Sequence, residues 1–305
     1  MSFRAKKAEK YYLSSIVGVS FRSYSPKSFP DGFPVVRTPR SGCIPEECRL
    51  LKASAVSDVG RVRKTNEDAF VADLDVSLFC VADGMGGHDA GEVASALAIE
   101  AISAFIRRSS VDTDFSWPYG IDRNLSYDAN RLRTAIHLAN RKIFRSAESN
   151  DDYNGMGTTI VGALVNGEQM AVAHVGDSRL YLVRRGRIRQ LTADDSWAAT
   201  ILAHDPRLNA ADIAKHPMRN VLTNVLGARD QVDVHVAEHD LETGDVILLC
   251  SDGLHGALDD TTIAQIATNQ KDIQLATRQM VDAALDNGGR DNVTALLVRI
   301  EGEAA

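Results

Sequence analysis

Residues 80–95 read CVADGMGGHDAGEVAS. The apolar run Leu78–Ala82 ends in Asp83, and three glycines follow within four residues before a helix-like stretch. A turn of this kind can hold a cation, cradle a phosphate or only change direction. Its neighbours set the local order as strand, tight turn, helix.

Outward from this turn, Gly91–Arg108 has helical periodicity, with an expected apolar stripe at Val93, Leu97, Ile102 and Phe105. A polar insertion over about 109–127 contains Trp117, Pro118 and Gly120. A second helix is expected over 128–147, with Leu132, Ile136, Ile143 and Phe144 on one face. Strand-type runs occupy 69–73, 77–83, 158–167, 169–177, 179–186, 231–240, 245–253 and 292–300. Asn166-Gly167 and Arg185-Gly186 mark hairpins. Helical segments near 260–268 and 271–286 separate the last two strands. Sequential hairpins with long amphipathic helices predict an α+β fold, a β-sandwich flanked by helices in one domain.

The 305 residues carry a net charge of -7, unevenly placed. Residues 1–50 hold +5, which leaves -12 for the remainder. An acidic body argues against nucleic acid, whose binding requires phosphate neutralisation. Five of the eight prolines lie in that basic stretch, so residues 1–52 are expected to be a flexible extension and 53–301 the domain. No run approaches the length of a membrane span, and YYLSSIVGVSF is a weak signal segment. The four cysteines show no disulfide framework, which points to a reducing, cytoplasmic setting. A monomer is the simplest expectation for the assembly.

Aspartates recur where apolar runs end or begin: Asp83-Gly84, Asp252-Gly253 and Asp291-Asn292. Glu67 and Asp68 precede another strand. Asp-Gly is ordinary turn chemistry taken singly. Converging carboxylates are different, because such a cluster is costly without a cation. Oxygen donors without sulfur or imidazole select Mg²⁺ or Mn²⁺ over Zn²⁺. Arg63 has the planar fork that suits a phosphate, and Arg61 is its local competitor. No G-x-S-x-G elbow and no G-x-x-x-x-G-K-[ST] loop occurs. The C-x₅-R match at Cys43–Arg49 encloses Glu46 and Glu47, which would repel a phosphate dianion. His88 and Glu92 read as polar residues of a helix start.

The ordered set RVRKTNEDAF, VADGMGGHDAGEVAS, GMGTTIVGALV, VAHVGDSRLYLVRRG, LTADDS, VLTNVLGA, LLCSDGL and GGRDNVTALLV resembles the metal-dependent serine/threonine protein phosphatases of the 2C type, in their bacterial branch. The resemblance spans about residues 53–300. It implies an α-β-β-α sandwich, two Mn²⁺ or Mg²⁺ ions, and hydrolysis of protein phosphoserine and phosphothreonine by a metal-bound hydroxide. By position, Asp83 would bridge both ions, Asp252 and Asp291 would complete the first, and Glu67 and the Gly84 carbonyl would serve the second. Asp68 would hold metal-bound water, Arg63 the substrate phosphate, and Asn292 would sit beside the site. Asp177, in GDSR, is expected to brace a hairpin with Arg179 near the ions.

Three departures from the pattern stand out. Met85 occupies the place of a histidine that some relatives carry as a proposed general acid. Asn154 replaces an aspartate used for a third metal, so a third site is expected to be weak. The insertion and the N-terminal extension lie outside the shared motifs. The segment at about 193–220 takes the place of a flap, with a helix capped near Asp194 or Asp195. Expected partners are phosphorylated proteins, a serine/threonine kinase or its targets. A pseudophosphatase, or a phosphatase of small phosphate esters, is the alternative.

Overall fold

The computed structural model describes residues 12–13, 50–87, 90–112, 115–205, 207–213 and 215–302. Its strands are β1 (Tyr12–Leu13), β2 (Leu50–Asp58), β3 (Asp68–Asp73), β4 (Leu78–Met85), β5 (Gly157–Thr158), β6 (Ile160–Asn166), β7 (Gln169–Val175), β8 (Arg179–Arg184), β9 (Arg187–Gln190), β10 (His235–Asp240), β11 (Val246–Cys250) and β12 (Val293–Glu301). Its helices are α1 (Ala90–Val111), α2 (Tyr127–Ser149), α3 (Trp197–His204), α4 (Ala210–Ile213), α5 (Asp252–His255), α6 (Asp260–Asn269) and α7 (Ile273–Asp286). β2 begins at Leu50, ahead of the expected boundary at Ala53, and β1 pairs against it. The rest of the expected N-terminal extension, with Cys43 and Cys48, lies outside the described residues.

Antiparallel pairing builds two sheets, ordered β1-β2-β12-β11-β8-β9 and β10-β7-β6-β4-β3, with β5 beside the end of β4. Phe79 and Val81 of β4 face Ile247 and Leu249 of β11 across the inter-sheet core. Leu78, Cys80 and Ala82 point the other way, into a layer with α1 and α2. Val246, Leu248 and Cys250 of β11 pack likewise against α6 and α7. Strands covered on both faces read as unbroken apolar runs, because neither face meets water. The expected α-β-β-α order is therefore present. Cys80 and Cys250 are buried free thiols. Among the described residues no helix is long and apolar enough to cross a membrane.

The α1 contact is shifted from the expected stripe. Ala94, Ala98, Ile102 and Ile106 are fully buried, while Val93, Leu97 and Phe105 flank them half-buried. Small residues at the contact let α1 approach β4 and α2 closely. α2 buries Leu132, Ile136 and Ile143 as expected, and Phe144 is half-buried. The insertion is pinned by aromatics rather than left polar. Ring centroids lie 5.3 Å apart for Phe105–Phe115, 4.8 Å for Phe115–Trp117 and 5.7 Å for Trp117–Tyr127.

Candidate active site

Both sheets send acids to one end of the sandwich. Asp68 and Asp83 are register partners on β3 and β4. Asp252 opens α5 directly after β11, and Asp291 precedes β12. Asp83 and Asp252 are close enough to hydrogen-bond, so the two sheets meet at their carboxyls. The Asp83 carbonyl is held by the Thr159 N–H (2.9 Å) and the Thr158 hydroxyl (2.8 Å), and its N–H donates to Thr159 Oγ1 (3.1 Å). These bonds fix the strand end that carries the bridging candidate.

The electrostatics follow from burial and like charge. Burial, then the charges of Asp68, Asp252, Asp177 and Asp291, push the Asp83 carboxyl well above its usual range. Burial drives Asp68 up to about 7, against the hydroxyl bonds of Thr294 and Ser251. Those bonds, 2.6 Å and 2.7 Å to Asp68 Oδ2, cross from one sheet to the other. Ser57 bonds Thr294 in turn (2.7 Å) and receives the Asn66 amide (2.8 Å). Neither Ser251 nor Thr294 was a candidate from sequence, since a lone hydroxyl in a strand or just past its end gives no spacing signal. Asp252 is raised by burial and by Asp291. Asp177 is raised to about 7 by burial and by Asp252.

Arg63 lies at the mouth of this cluster. Its Nη2 donates to Asp291 Oδ2 at 2.8 Å, and it feels Glu67 and Asp83 as well. Arg61 is held beside the same loop by its backbone, its N–H donating to the Gly289 carbonyl (2.7 Å). Of the two candidate arginines, Arg63 is the one seen paired with a carboxylate of the cluster. Asn292 staples the loop between β2 and β3. Its Oδ1 accepts the Glu67 N–H (2.8 Å), and its Nδ2 donates to the Val59 (3.0 Å) and Thr65 (2.9 Å) carbonyls.

Glu67 and Gly84 meet at the start of α1. The Gly84 N–H donates to the Glu67 carbonyl (3.1 Å), and a Cβ on Gly84 would lie 2.1 Å from the Gly91 carbonyl oxygen. A Cβ on Gly91 would lie 2.5 Å from Glu67 Oε1. Gly91 therefore makes room for the Glu67 carboxylate, a role that sequence reading missed because it took this glycine only for the first residue of the helix. Gly91→Ala should raise the Mn²⁺ concentration for half-maximal binding by roughly 10-fold or more, as expected when a ligand's support is lost. Calorimetric titration with Mn²⁺ checks this; a parent-like isotherm would show that Glu67 does not depend on that space.

The GDSR turn divides its roles. Arg179 forks onto Asp194 (2.9 and 2.7 Å) and reaches the Tyr181 hydroxyl (2.8 Å), so it is architectural. Arg179's fork is taken by Asp194, while the Asp177 carboxyl is raised by burial and then by the charges of Asp252 and Asp194. The α3 cap is Ser196, whose hydroxyl accepts the Ala199 N–H (3.3 Å). Asp194 and Asp195, expected as caps, are occupied by Arg179 and by Gly176 with His235. Asn154 is exposed in a turn after the 3-10 segment Asp151–Tyr153, whose two aspartates are exposed too. Met85 is half-buried on β4 opposite Gly157, and His88 lies outside the described residues.

The donor set fits hard divalent cations. It is oxygen-only, burial and then neighbouring charge raise Asp83 and Asp252, and Asp68 Oδ1 is buried without a hydrogen-bond partner. Among the described residues no three acids, cysteines or histidines are drawn into a closed ligand cage. Arg63 holds Asp291 in an ion pair at 2.8 Å.

Comparison with known proteins agrees. Residues 61–297 match the protein phosphatase 2C family. The serine/threonine phosphatase stp of Listeria monocytogenes is 35% identical over 258 residues, covering 81% of this chain and 95% of that protein. The S. agalactiae serine/threonine phosphatase superposes with a TM-score of 0.72 at 33% identity, covering 82% of this chain and all of that one. The catalytic domain of the serine/threonine protein phosphatase PstP, solved with two manganese ions, gives a TM-score of 0.68 at 34% identity, covering 83% and 99%. A sandwich with acids from both sheets at one end, matched over this length, places the chain in the protein phosphatase 2C family.

Proposed function

We propose that this chain removes phosphate from phosphoserine and phosphothreonine in proteins, using two Mn²⁺ or Mg²⁺ ions. The observation that carries this reading is the convergence of Asp83, Asp252 and Asp291 from both sheets, with Arg63 on Asp291. Glu67, Asp83, the Gly84 carbonyl, Asp252 and Asp291 would hold the ions; Asn154 in place of a carboxylate favours two ions over three. Such cations supply charge neutralisation of the phosphate ester and acidify water into the neutral range.

The chain's own groups do the rest. Arg63 leaves Asp291 to fork the phosphate oxygens, orienting the ester. Asp68, its Oδ2 fixed by two hydroxyls, presents Oδ1 to accept a proton from attacking water. Met85 has no proton to donate, so the proton for the leaving oxygen comes from water or from another residue. We assign the domain to 50–301, three residues longer than the sequence boundary because β2 starts at Leu50, with the residues before it as an extension. The substrates are assigned to a bacterial serine/threonine kinase or its targets in the cytoplasm, acted on by a monomer. The deciding assay is release of phosphate from a phosphothreonine peptide and an aryl phosphate by chelator-stripped protein, with and without Mn²⁺. No Mn²⁺-dependent release from either would sink the reading.

The raised carboxyls give a linked prediction. Their folded values exceed the ordinary 3.8, so the folded chain binds more protons than the unfolded one between about pH 4 and about 7. Stability of the stripped protein therefore falls as pH rises through that window. Its Tm should be lower at pH 8 than at pH 5, and Mn²⁺ should raise Tm more at pH 8. At a hundred times Kd the gain is about 2.7 kcal/mol. Equal Mn²⁺ shifts at both pH values would contradict it.

A further inference from the structure

The Gly176–Ser178 turn between β7 and β8 carries Asp177 to the acidic cluster, and it is gripped from three sides. Asp195 closes on it twice: its N–H donates to the Gly176 carbonyl (2.9 Å), and its Oδ2 accepts the Gly176 N–H (3.0 Å). His255, on α5 beyond Asp252, donates its Nε2–H to the Asp177 carbonyl (3.1 Å). The Ser178 hydroxyl bonds Thr159 Oγ1 (2.7 Å), the same atom that accepts the Asp83 N–H. Gly176 has φ +99°, and a Cβ there would lie 2.7 Å from Thr159 Cγ2, so the turn has little slack.

The same Asp195 also anchors the flap. Ser196 caps α3 beside it and bridges to Leu222, where the chain returns. The Asp195 carbonyl accepts the Thr223 N–H (2.8 Å) and hydroxyl (3.0 Å), and Oδ2 accepts the Asn224 amide (2.9 Å). Oδ1 meets His235 Nε2 at 2.9 Å. Both ends of the flap are thus tied at the residue that holds the Asp177 turn.

We infer that Asp195 and His255 are positioning residues, clamping the Gly176–Ser178 turn between the flap and α5 so that the flap's seating and the placement of Asp177 are coupled. The inference rests on the proposed phosphatase reading. Asp195 serves the flap and the turn together; His255 serves the turn alone. Two substitutions should therefore separate the effects.

Asp195→Ala should raise KM for a phosphothreonine peptide roughly 10-fold, and move KM for an aryl phosphate, too small to use the flap, less than about twofold. Its flap should also be cut by trypsin after Arg207, Lys215 and Arg219 roughly 10-fold faster, because the anchored segment opens more often. Asp195→Asn, which retains an acceptor for the Gly176 N–H, should recover part of both effects. His255→Ala should leave the tryptic rates at the parent value and weaken Mn²⁺ binding several-fold by calorimetry, with recovery in His255→Gln, whose amide can donate. Circular dichroism and Tm establish that each variant is folded. Parent-like KM and flap cleavage in Asp195→Ala would overturn the coupling. So would flap cleavage in His255→Ala as fast as in Asp195→Ala. A parent without Mn²⁺-dependent turnover would defeat the proposed function instead, and flap cleavage and Mn²⁺ calorimetry would still judge the clamp.

Discussion

Asp83→Asn is expected to lower kcat/KM for a phosphothreonine peptide by roughly a thousandfold or more, about 4 kcal/mol of transition-state stabilisation. The amide keeps the shape and the bonds to Thr158 and Thr159, which use the backbone. It removes a carboxylate whose pKa is raised first by burial and then by the charges of four other aspartates. The stripped variant should therefore be more stable than the stripped parent at pH 8, because a repelled, buried carboxylate has gone. Its Tm should respond little to Mn²⁺. Lower activity together with higher metal-free stability is a pairing that a merely misfolded protein does not give. A variant with the parent's Mn²⁺ response would remove Asp83 from the proposed bridging position.

Arg63→Ala should lower kcat/KM roughly a hundredfold, about 2.7 kcal/mol, with much of the loss in KM. The guanidinium offers two parallel donors to a phosphate, and a truncated side chain offers none. Arg63→Lys should recover only part, since an ammonium is a point charge without the fork. The metal readout should run opposite to that of Asp83→Asn. Arg63 competes for Asp291 at 2.8 Å, so its removal should preserve or strengthen Mn²⁺ binding. If Arg61→Ala lost more activity than Arg63→Ala, the phosphate role would belong to Arg61.

The sandwich and its acids were legible because their signals are local. Unbroken apolar runs, the Asp-Gly exits and the hairpin glycines each reflect a constraint met within a few residues. The Arg185-Gly186 hairpin is an example, with both residues at positive φ as a two-residue turn requires. What stayed hidden depends on partners distant in sequence. Ser251 and Thr294 matter because Asp68 of the other sheet lands between them. Gly91 matters because Glu67 needs its missing Cβ. The cap of α3 was misplaced by one or two residues, since Asp194 and Asp195 are good cap formers in isolation but have tighter partners across the fold. The α1 stripe was misread for a related reason. Alanines carry little weight in a hydrophobic pattern, yet they define where a helix comes closest.

Acids drawn from two sheets have a consequence for metal choice. The gap between Asp83 and the Asp252–Asp291 pair is a span between layers, and layer spacing is set by what fills the space between them. That filling is Phe79, Val81, Val161, Leu180, Leu249 and Leu296, none of which offers a donor atom. The ionic radius the site accommodates best is therefore written partly in hydrocarbon. Selectivity between Mg²⁺, which demands short and regular bonds, and the larger, more tolerant Mn²⁺ becomes a property of side-chain volume deep in the sandwich as well as of the ligands themselves.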